Sequence, residues 1–457
     1  MDLRARIDAS PMHPYQWLIV ALCVALNLLD GFDVMALAFT ANSIRDDFGL
    51  DGATIGILLS AGLIGMAVGA FTLAPVADRF GRRPLILASV ALATLGMALS
   101  AAAGSAWQLG TWRVVTGLGI GGILACTTVI ASEYSSGRRR GLAISIYTAG
   151  YGIGATLGGL AAVQLQNEFG WRAVFVTGAV LTGLVLVLLF VALPESIEFL
   201  ASRGRPSDLS EVNRIAVRIG QDPVEKLEAG TGPEENRAGR ATELFSLRHR
   251  RPTLLLWFAF FTTMFGFYFV NSWTPSLLET AGLSKDQSAT AGMMLTLGGA
   301  VGSVFFGVLA GRGSTRGVLI VFTVLSALSM AVFIASTAIL MVAFVLGILI
   351  GGLINGCIAG LYTLAPSLYG PRLRSTGVGW AIGVGRAGAI LAPTAAGVLL
   401  DLGWTAEQLY IGVAGVVVLA AIALTFLRPA VPGKPATAAS SAAAVTGSSA
   451  LGARAPR

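Results

Sequence analysis

Five charged side chains stand inside long apolar stretches of this sequence. They are Asp30, Asp33, Arg113, Glu133 and Arg386. A charge at the middle of a hydrocarbon layer costs about 2.5 to 3.5 kcal/mol by insertion scales unless it meets a partner or water. Such charges therefore point to chemistry in which an anion is bound or a proton is moved.

Arg386 is the candidate for binding an anion. It lies about nine residues into an apolar run that begins near Gly377, so a helical rise of about 1.5 Å per residue puts it close to the membrane midplane. Secondary transporters bind their substrates at this depth. A guanidinium there favours an anion, most simply a carboxylate bound through two N–H groups. The alternative is a structural arginine that joins helices through a carboxylate or carbonyl oxygens.

Asp33 and Arg113 are candidates for moving a proton. Each lies about five residues inside the outer end of its apolar run, so the two side chains are expected at one level. A carboxylate that meets an arginine in a sparsely hydrated place can alternate between an ion pair and a protonated form. A permanent structural ion pair is the alternative. Asp30 shares a helix face with Asp33 and is a second titrating group or a substrate contact.

A compact charged turn follows the second apolar run. Its charged residues are Asp78, Arg79, Arg82 and Arg83. Glu133 lies at the same level and could pair with one of these arginines or with the run Arg138 to Arg140. We predict a salt-bridge network that gates the protein, although a bias of positive charge toward the cytoplasm could also explain the arginines.

Other polar or aromatic residues at membrane depth could line a cavity. The predicted substrate contacts are Asn27, Tyr268, Asn271, Tyr362 and Trp380, and further candidates are Tyr147, Tyr151 and Asn355. Any one of these could instead be a satisfied interior residue or an interfacial anchor. Asn27 is the best of them because it sits near the midplane.

The elements that position these residues are membrane-spanning helices. The 457 residues are 55% hydrophobic and 12% charged, with a mean hydropathy of +0.76, which is too apolar for an ordinary soluble domain. A helical span needs about 20 apolar residues, and the long continuous runs favour helices over a barrel. The sequence predicts an all-α membrane protein with twelve transmembrane helices.

The chain divides into two halves of six spans. The predicted segments are a cytoplasmic tail 1–15, a six-helix bundle 16–193, a cytoplasmic loop 194–252, a second six-helix bundle 253–428 and a disordered tail 429–457. The first span is expected over 16–38 and the eleventh over 377–400. Twelve arginines fall in the loops on one side, so the positive-inside rule puts both termini in the cytoplasm.

An internal repeat supports this division. The stretch from Ala74 to Arg83 follows span two, and the stretch from Gly307 to Arg316 follows span eight. Equal numbers of spans in equal order indicate parallel repeats, which are related by an axis along the membrane normal.

Several classes of protein are excluded. The sequence has no Gly-Lys-Ser/Thr phosphate loop, so ATP is not the energy source, and His13 and His249 lack metal-ligand spacing. Cys23, Cys126 and Cys357 form no pair suggested by spacing. The net charge of +7 does not form a face for nucleic acid. We expect no enzyme activity, no cofactor beyond a proton gradient, and a functional monomer in the lipid bilayer.

Several motifs resemble the major facilitator superfamily and, more narrowly, its aromatic acid and proton symporters. The turn at Asp78 is similar to the superfamily's loop signature, and the Arg113 to Gly119 stretch to its fourth-span motif. Further matches are Leu29-Asp30-Gly31-Phe32-Asp33, Ser132-Glu133-Tyr134, Leu193-Pro194-Glu195-Ser196, Ser272-Trp273-Thr274-Pro275 and the segments Arg374 to Trp380 and Gly385 to Gly388.

The resemblance implies uptake of a benzoate-like carboxylate with protons, by alternating access, across an inner membrane. It also implies roles for Asp30 and Asp33 in transport and for Arg386 in anion binding. Two residues depart from the pattern: Ala74 replaces a glycine, and Gly311 replaces an acidic residue in the second copy. A sugar or aliphatic organic-acid porter of the same fold, or a membrane receptor or scaffold, are the alternatives.

Overall fold

The computed structural model describes residues 3–225, 241–247, 249–369 and 371–427. These residues form helices and turns and contain no strand. Twelve helices are long and apolar enough to cross a membrane, which confirms the predicted fold class. They are α2 (Pro14–Phe48), α3 (Gly52–Phe80), α4 (Arg82–Ala101), α5 (Ala106–Glu133), α6 (Arg140–Phe169), α7 (Trp171–Ala192), α10 (Arg250–Thr280), α11 (Lys285–Arg312), α12 (Thr315–Phe333), α13 (Leu340–Leu364), α14 (Pro371–Asp401) and α15 (Ala406–Phe426).

Both described ends of the chain lie on one face of the bundle, which we call the terminus side; the opposite face is the far side. Four spans begin on the far side with a side-chain cap. The caps are Asp51, Ser105, Ser284 and Thr405, whose oxygens accept from backbone N–H groups in the first turn. These short polar residues stop one helix and start the next at the predicted loops.

The two halves are built in the same way. In the first half α3 packs on α5, α2 on α6, and α4 on α7. In the second half the corresponding pairs are α11 with α13, α10 with α14, and α12 with α15. The same pairing in the same order is what a parallel repeat produces.

In the described part of the chain, three short α-helices lie on the terminus side. They are α1 (Leu3–Ala9), α8 (Ile197–Arg203) and α9 (Pro206–Arg218). The apolar residues Leu3, Ile7 and Ile215 are buried in one cluster with the ends of the first-half spans. The predicted tail 1–15 and loop 194–252 therefore contain helices packed on the first bundle, while the predicted tail 429–457 lies outside the described residues.

The first span is longer than predicted. It runs to Phe48, ten residues beyond the expected end at 38. The extra turns carry Asn42, Arg45 and Asp47, which ended the apolar run but not the helix. Polar side chains are stable outside the hydrocarbon layer, so a helix can continue where its apolar run ends.

Candidate functional site

Close packing of α2 on α6 sets the position of the acidic residues in the first span. A Cβ atom on Gly31 would collide with the backbone carbonyl of Tyr151, and one on Gly154 with the carbonyl of Leu28. Only glycine allows the two backbones to approach this closely. Gly31 lies between Asp30 and Asp33 in the sequence, so this contact fixes the backbone that carries both carboxylates.

Asp33 and Arg113 form a buried ion pair with two hydrogen bonds. Arg113 Nη1 donates to Asp33 Oδ1 at 2.5 Å and Nη2 to Oδ2 at 2.8 Å. Both side chains are buried, and the guanidinium lies 5.9 Å from the centre of the Phe175 ring. The structure brings together the two residues that the sequence placed at one level, in the paired geometry typical of arginine and a carboxylate.

Asp30 lies one turn away with an unused oxygen. The residue is 5% exposed, and its Oδ1 atom has no hydrogen-bond partner among the described residues. Together with Asp33, Thr116 and Thr182 it borders a cavity of about 20 Å³ inside the first bundle. This space fits about one water molecule. Asp30 is thus a buried carboxyl group that can accept or hold a proton.

Arg386 stands at the centre of α14. It lies fifteen residues after Pro371 and fifteen before Asp401, and its side chain is partly exposed. Its Nη1 donates to the Tyr268 hydroxyl at 3.2 Å. In the described part of the chain no carboxylate lies within 4.0 Å of the guanidinium.

Aromatic hydroxyl groups surround Arg386 instead. Tyr151, Tyr268 and Tyr362 interact electrostatically with its guanidinium, as does Asp30. These residues come from α2, α6, α10 and α13, so both halves of the protein converge on Arg386. The result is a cation among phenol rings, an arrangement suited to an aromatic anion.

Tyr268 also faces the ion pair of the first half. It lines a second cavity of about 20 Å³ together with Asp33, Arg113 and Ser272. The remaining lining residues are apolar: Val34 and Leu37 of α2, and Leu59, Gly62, Leu63 and Met66 of α3. Tyr268 therefore lies between the predicted anion site and the predicted proton site.

The other predicted contacts are placed less favourably. Asn27 and Asn271 donate to the backbone carbonyls of Tyr147 and Phe267, at 2.7 and 2.8 Å. Trp380 stacks on Trp257 with ring centres 5.7 Å apart. It precedes Arg386 by six residues, or about 9 Å along the helix, so the structure does not bring it to the guanidinium.

The charged turn on the terminus side is held within the first half. Arg82 forms a salt bridge to Glu133, and Ser196 Oγ donates to Glu133 Oε2 at 2.7 Å. Arg83 donates through Nε to the carbonyl of Leu193 at 2.7 Å. The side chain of Asp78 lies outside the described residues. Arg79 is exposed and its guanidinium lies 5.5 Å from the centre of the Phe80 ring.

The sequence did not single out Glu195 as a partner in this turn. Its Oε1 accepts from the backbone N–H groups of Arg82 and Arg83, at 2.9 and 3.0 Å. Gly81, with φ of 110°, allows the chain to turn there against the carboxylate. The available signals were its place after a proline and its membership of the motif Leu193-Pro194-Glu195-Ser196.

The two halves meet at a far-side interface between α3 and α14. Ser60 Oγ donates to the Ile390 carbonyl at 2.7 Å, and the Asp401 carboxylate accepts from the N–H groups of Gly52 and Ala53, at 2.7 Å each. Asn42 of α2 donates to Glu279 of α10 at 2.6 Å. Within the described ranges, the hydrogen bonds between the halves lie from the middle of the bundle toward the far side. The protein is therefore closed on that side.

The comparison with known proteins agrees with this architecture. The sequence matches the Major Facilitator Superfamily over residues 23–393, with a second match over 277–455. The chain belongs to this superfamily. It is a multi-pass membrane protein of a transporter family, as the sequence motifs predicted.

Two relatives are similar to this superfamily member in sequence, and one solved structure is similar to it in fold. It is 34% identical to a gallate transporter of Pseudomonas putida, covering 88% of this chain and 90% of that protein. It is also 34% identical to the 4-hydroxybenzoate transporter PcaK of Pseudomonas aeruginosa, covering 89% and 91%. A solved D-xylose-proton symporter matches with a TM-score of 0.72 at 17% identity, covering 91% and 98%, which shows the shared fold. These findings confirm the resemblance drawn from the motifs.

Proposed function

We propose that this protein takes up small aromatic carboxylates together with protons by alternating access. The observation that carries the proposal is Arg386, a guanidinium at the centre of a transmembrane helix with no carboxylate within 4.0 Å among the described residues. A charge at that depth is stable only with a counter-charge or water, and Asp30 interacts with the guanidinium electrostatically without forming a salt bridge, so a substrate carboxylate can bind there. The relatives named for gallate and 4-hydroxybenzoate support an aromatic acid.

In this proposal the buried groups have different roles. Arg386 binds the carboxylate, while the rings of Tyr268 and Tyr362 contact the aromatic ring of the substrate. Asp33 carries the proton under the influence of Arg113, and Asp30 is a second proton site or a substrate contact. A protonated Asp33 no longer holds Arg113 as an ion pair, which loosens α2 from α5 and favours movement of the first half.

We further propose an inner-membrane location with both termini in the cytoplasm, because the arginine-rich loops all lie on the terminus side. With that orientation the far side faces out, and the far-side interface closes the substrate path to the exterior. The functional unit is a monomer that needs no cofactor, since the proton gradient supplies the energy. The predicted gating network is represented on the terminus side by the salt bridge of Arg82 with Glu133, which lies within the first half.

Exchange of labelled 4-hydroxybenzoate in proteoliposomes tests the proposal. We expect unlabelled 4-hydroxybenzoate, benzoate and gallate inside the vesicles to drive uptake of the label, whereas xylose and succinate do not. An inward proton gradient should then drive accumulation. Exchange with xylose or succinate alone would favour the sugar or aliphatic-acid porter, and no exchange of any solute by folded protein would favour a receptor.

A further inference from the structure

Tyr268 touches both the anion site and the surroundings of the ion pair. Its hydroxyl oxygen accepts a hydrogen bond from Arg386 Nη1 at 3.2 Å. The same side chain is only 9% exposed and lines the cavity that Asp33 and Arg113 border. A phenol that accepts one hydrogen bond still has a proton to donate, and a buried donor left unused is costly.

The cavity offers an acceptor for that proton. Asp33 is the ionisable acceptor on its wall, and Ser272 adds a hydroxyl group. A space of about 20 Å³ with several polar partners fits about one bridging water. A continuous path of hydrogen bonds can therefore run from Arg386 in the second half, through Tyr268, to Asp33 in the first half.

We propose that the Tyr268 hydroxyl links occupancy of Arg386 to protonation of Asp33. In the empty protein the phenol accepts from Arg386 and donates toward Asp33, which favours the ionised carboxylate. A substrate carboxylate takes the Arg386 N–H groups and displaces the phenol. Asp33 then loses a donor, so its protonated form is favoured and a proton enters with the substrate.

This inference rests on the proposed function but makes a separate statement about one hydroxyl group. Linkage is reciprocal, so protonation must also strengthen substrate binding. Other titratable or charged groups near this path are Asp30, Tyr151, Tyr362 and Arg113. Tyr362 is the natural control because it interacts with Arg386 but does not border the cavity of Asp33.

The test measures the affinity of purified protein for 4-hydroxybenzoate as a function of pH. In the unaltered protein we expect the affinity to rise about tenfold from about pH 8 to about pH 6, a size typical of coupled sites. Tyr268→Phe keeps the ring and the substrate contact but should reduce this change to less than about twofold. Its accumulation driven by the proton gradient should fall more than its counterflow. Tyr362→Phe should leave the pH dependence intact.

Three results would overturn the link. One is a Tyr268→Phe variant with the unaltered pH dependence, and another is a folded Tyr268→Phe variant that no longer binds substrate, because the phenol would then be a substrate contact. Ser272→Val, which fills the cavity from the other wall, supplies an independent test; retained pH dependence there would contradict a path through the cavity. If the unaltered protein binds no aromatic carboxylate, the proposed function fails before any variant is compared.

Discussion

The carboxylate of Asp401, at the end of α14, accepts hydrogen bonds from the backbone N–H of Gly52 and its neighbour Ala53, at the start of α3, at 2.7 Å each. The N-terminus of α3, in the first half, is thus capped by Asp401 of the second half. Anions are stabilised at a helix N-terminus because its first N–H groups have no partner within the helix. This bond exists only while the far side is closed, so it favours the closed conformation.

We therefore expect Asp401→Ala to shift the protein toward a far-side-open conformation. An exposed charge at a helix N-terminus contributes about 0.3 to 1 kcal/mol, enough to change the ratio of conformations about two- to fivefold. Spin labels at Ser105→Cys and Ala338→Cys, one on each half at the far side, should show a longer distance in the variant. The native cysteines are buried and should not react.

Glu407→Gln is the matched control, since Glu407 is likewise an exposed acidic residue on the far side but, among the described residues, forms no hydrogen bond to the other half. An unchanged distance distribution in Asp401→Ala, or an equal shift in Glu407→Gln, would show that the cap does not determine the conformation.

Arg386→Ala should abolish substrate binding while the protein stays folded. The guanidinium accounts for the positive charge at the proposed site, and an aromatic carboxylate without it would be buried unpaired. Equilibrium binding of labelled 4-hydroxybenzoate measures the effect, and gel filtration with a melting curve confirms the fold. Arg386→Lys should retain weak binding because it keeps the charge but loses the planar pair of donors. Unchanged affinity in Arg386→Ala would remove this residue from the site.

Asp33→Asn should stop proton-driven accumulation more than counterflow. The amide cannot take up a proton, yet it keeps the size of the carboxyl group beside Arg113. Exchange needs only the movement of loaded protein, whereas accumulation needs the proton to travel too. Parallel assays in the same proteoliposomes compare the two rates. An equal loss of both would indicate that the Asp33–Arg113 pair is structural.

Much of the fold could be predicted because lipid imposes a strong constraint on composition. Apolar runs of span length, arginines in alternate loops and a repeated motif fix the number, order and relation of the helices. The end of the first helix could not be predicted in this way, because hydropathy shows where apolar side chains stop and not where the helix stops. The helix itself continues to Phe48.

The site was predictable only where a charge had to be explained. Asp33, Arg113 and Arg386 stood out because a buried charge needs a partner, and the structure pairs the first two. Asn27 and Trp380 are uncharged and need no counter-charge. Asn27 hydrogen-bonds to the Tyr147 carbonyl, and Trp380 stacks on the Trp257 ring. Asp401 ends an apolar run, and its contact with α3 depends on how the two halves meet, which local sequence does not specify.

Acid should loosen the helix α9 through Asp208. Its carboxylate accepts from Arg203 Nε at 2.9 Å and from the backbone N–H of Arg205 at 3.0 Å. The guanidinium and this N–H lower the pKa of Asp208 from its ordinary value of 3.8. The stabilisation is therefore complete above about pH 3.8 and is lost as the pH falls through the lower, folded-state pKa.

Hydrogen exchange of residues 206–218 at a series of acid pH values measures this effect. Asp208→Asn should exchange faster than the unaltered protein at neutral pH and equally fast once Asp208 is protonated. Glu198→Gln serves as a control because Glu198 is exposed. A difference between Asp208→Asn and the unaltered protein that stayed constant down to the lowest pH would contradict the ion pair as its cause.

Gly31→Ala should separate the first span from α6 and impair transport. The added methyl group would collide with the backbone carbonyl of Tyr151, and a backbone cannot rotate away as a side chain can. Overpacking of this kind costs about 1 to 3 kcal/mol, so the melting temperature should fall. The shift would also move Asp30 and Asp33 away from α6, so substrate affinity should fall as well.

Gly415→Ala on α15 is the control, because nothing lies within 4 Å of its added Cβ, and an alanine there should stabilise the helix by up to about 1 kcal/mol. Equal melting temperatures and affinities for both variants would show that close contact between α2 and α6 is not what positions the two carboxylates.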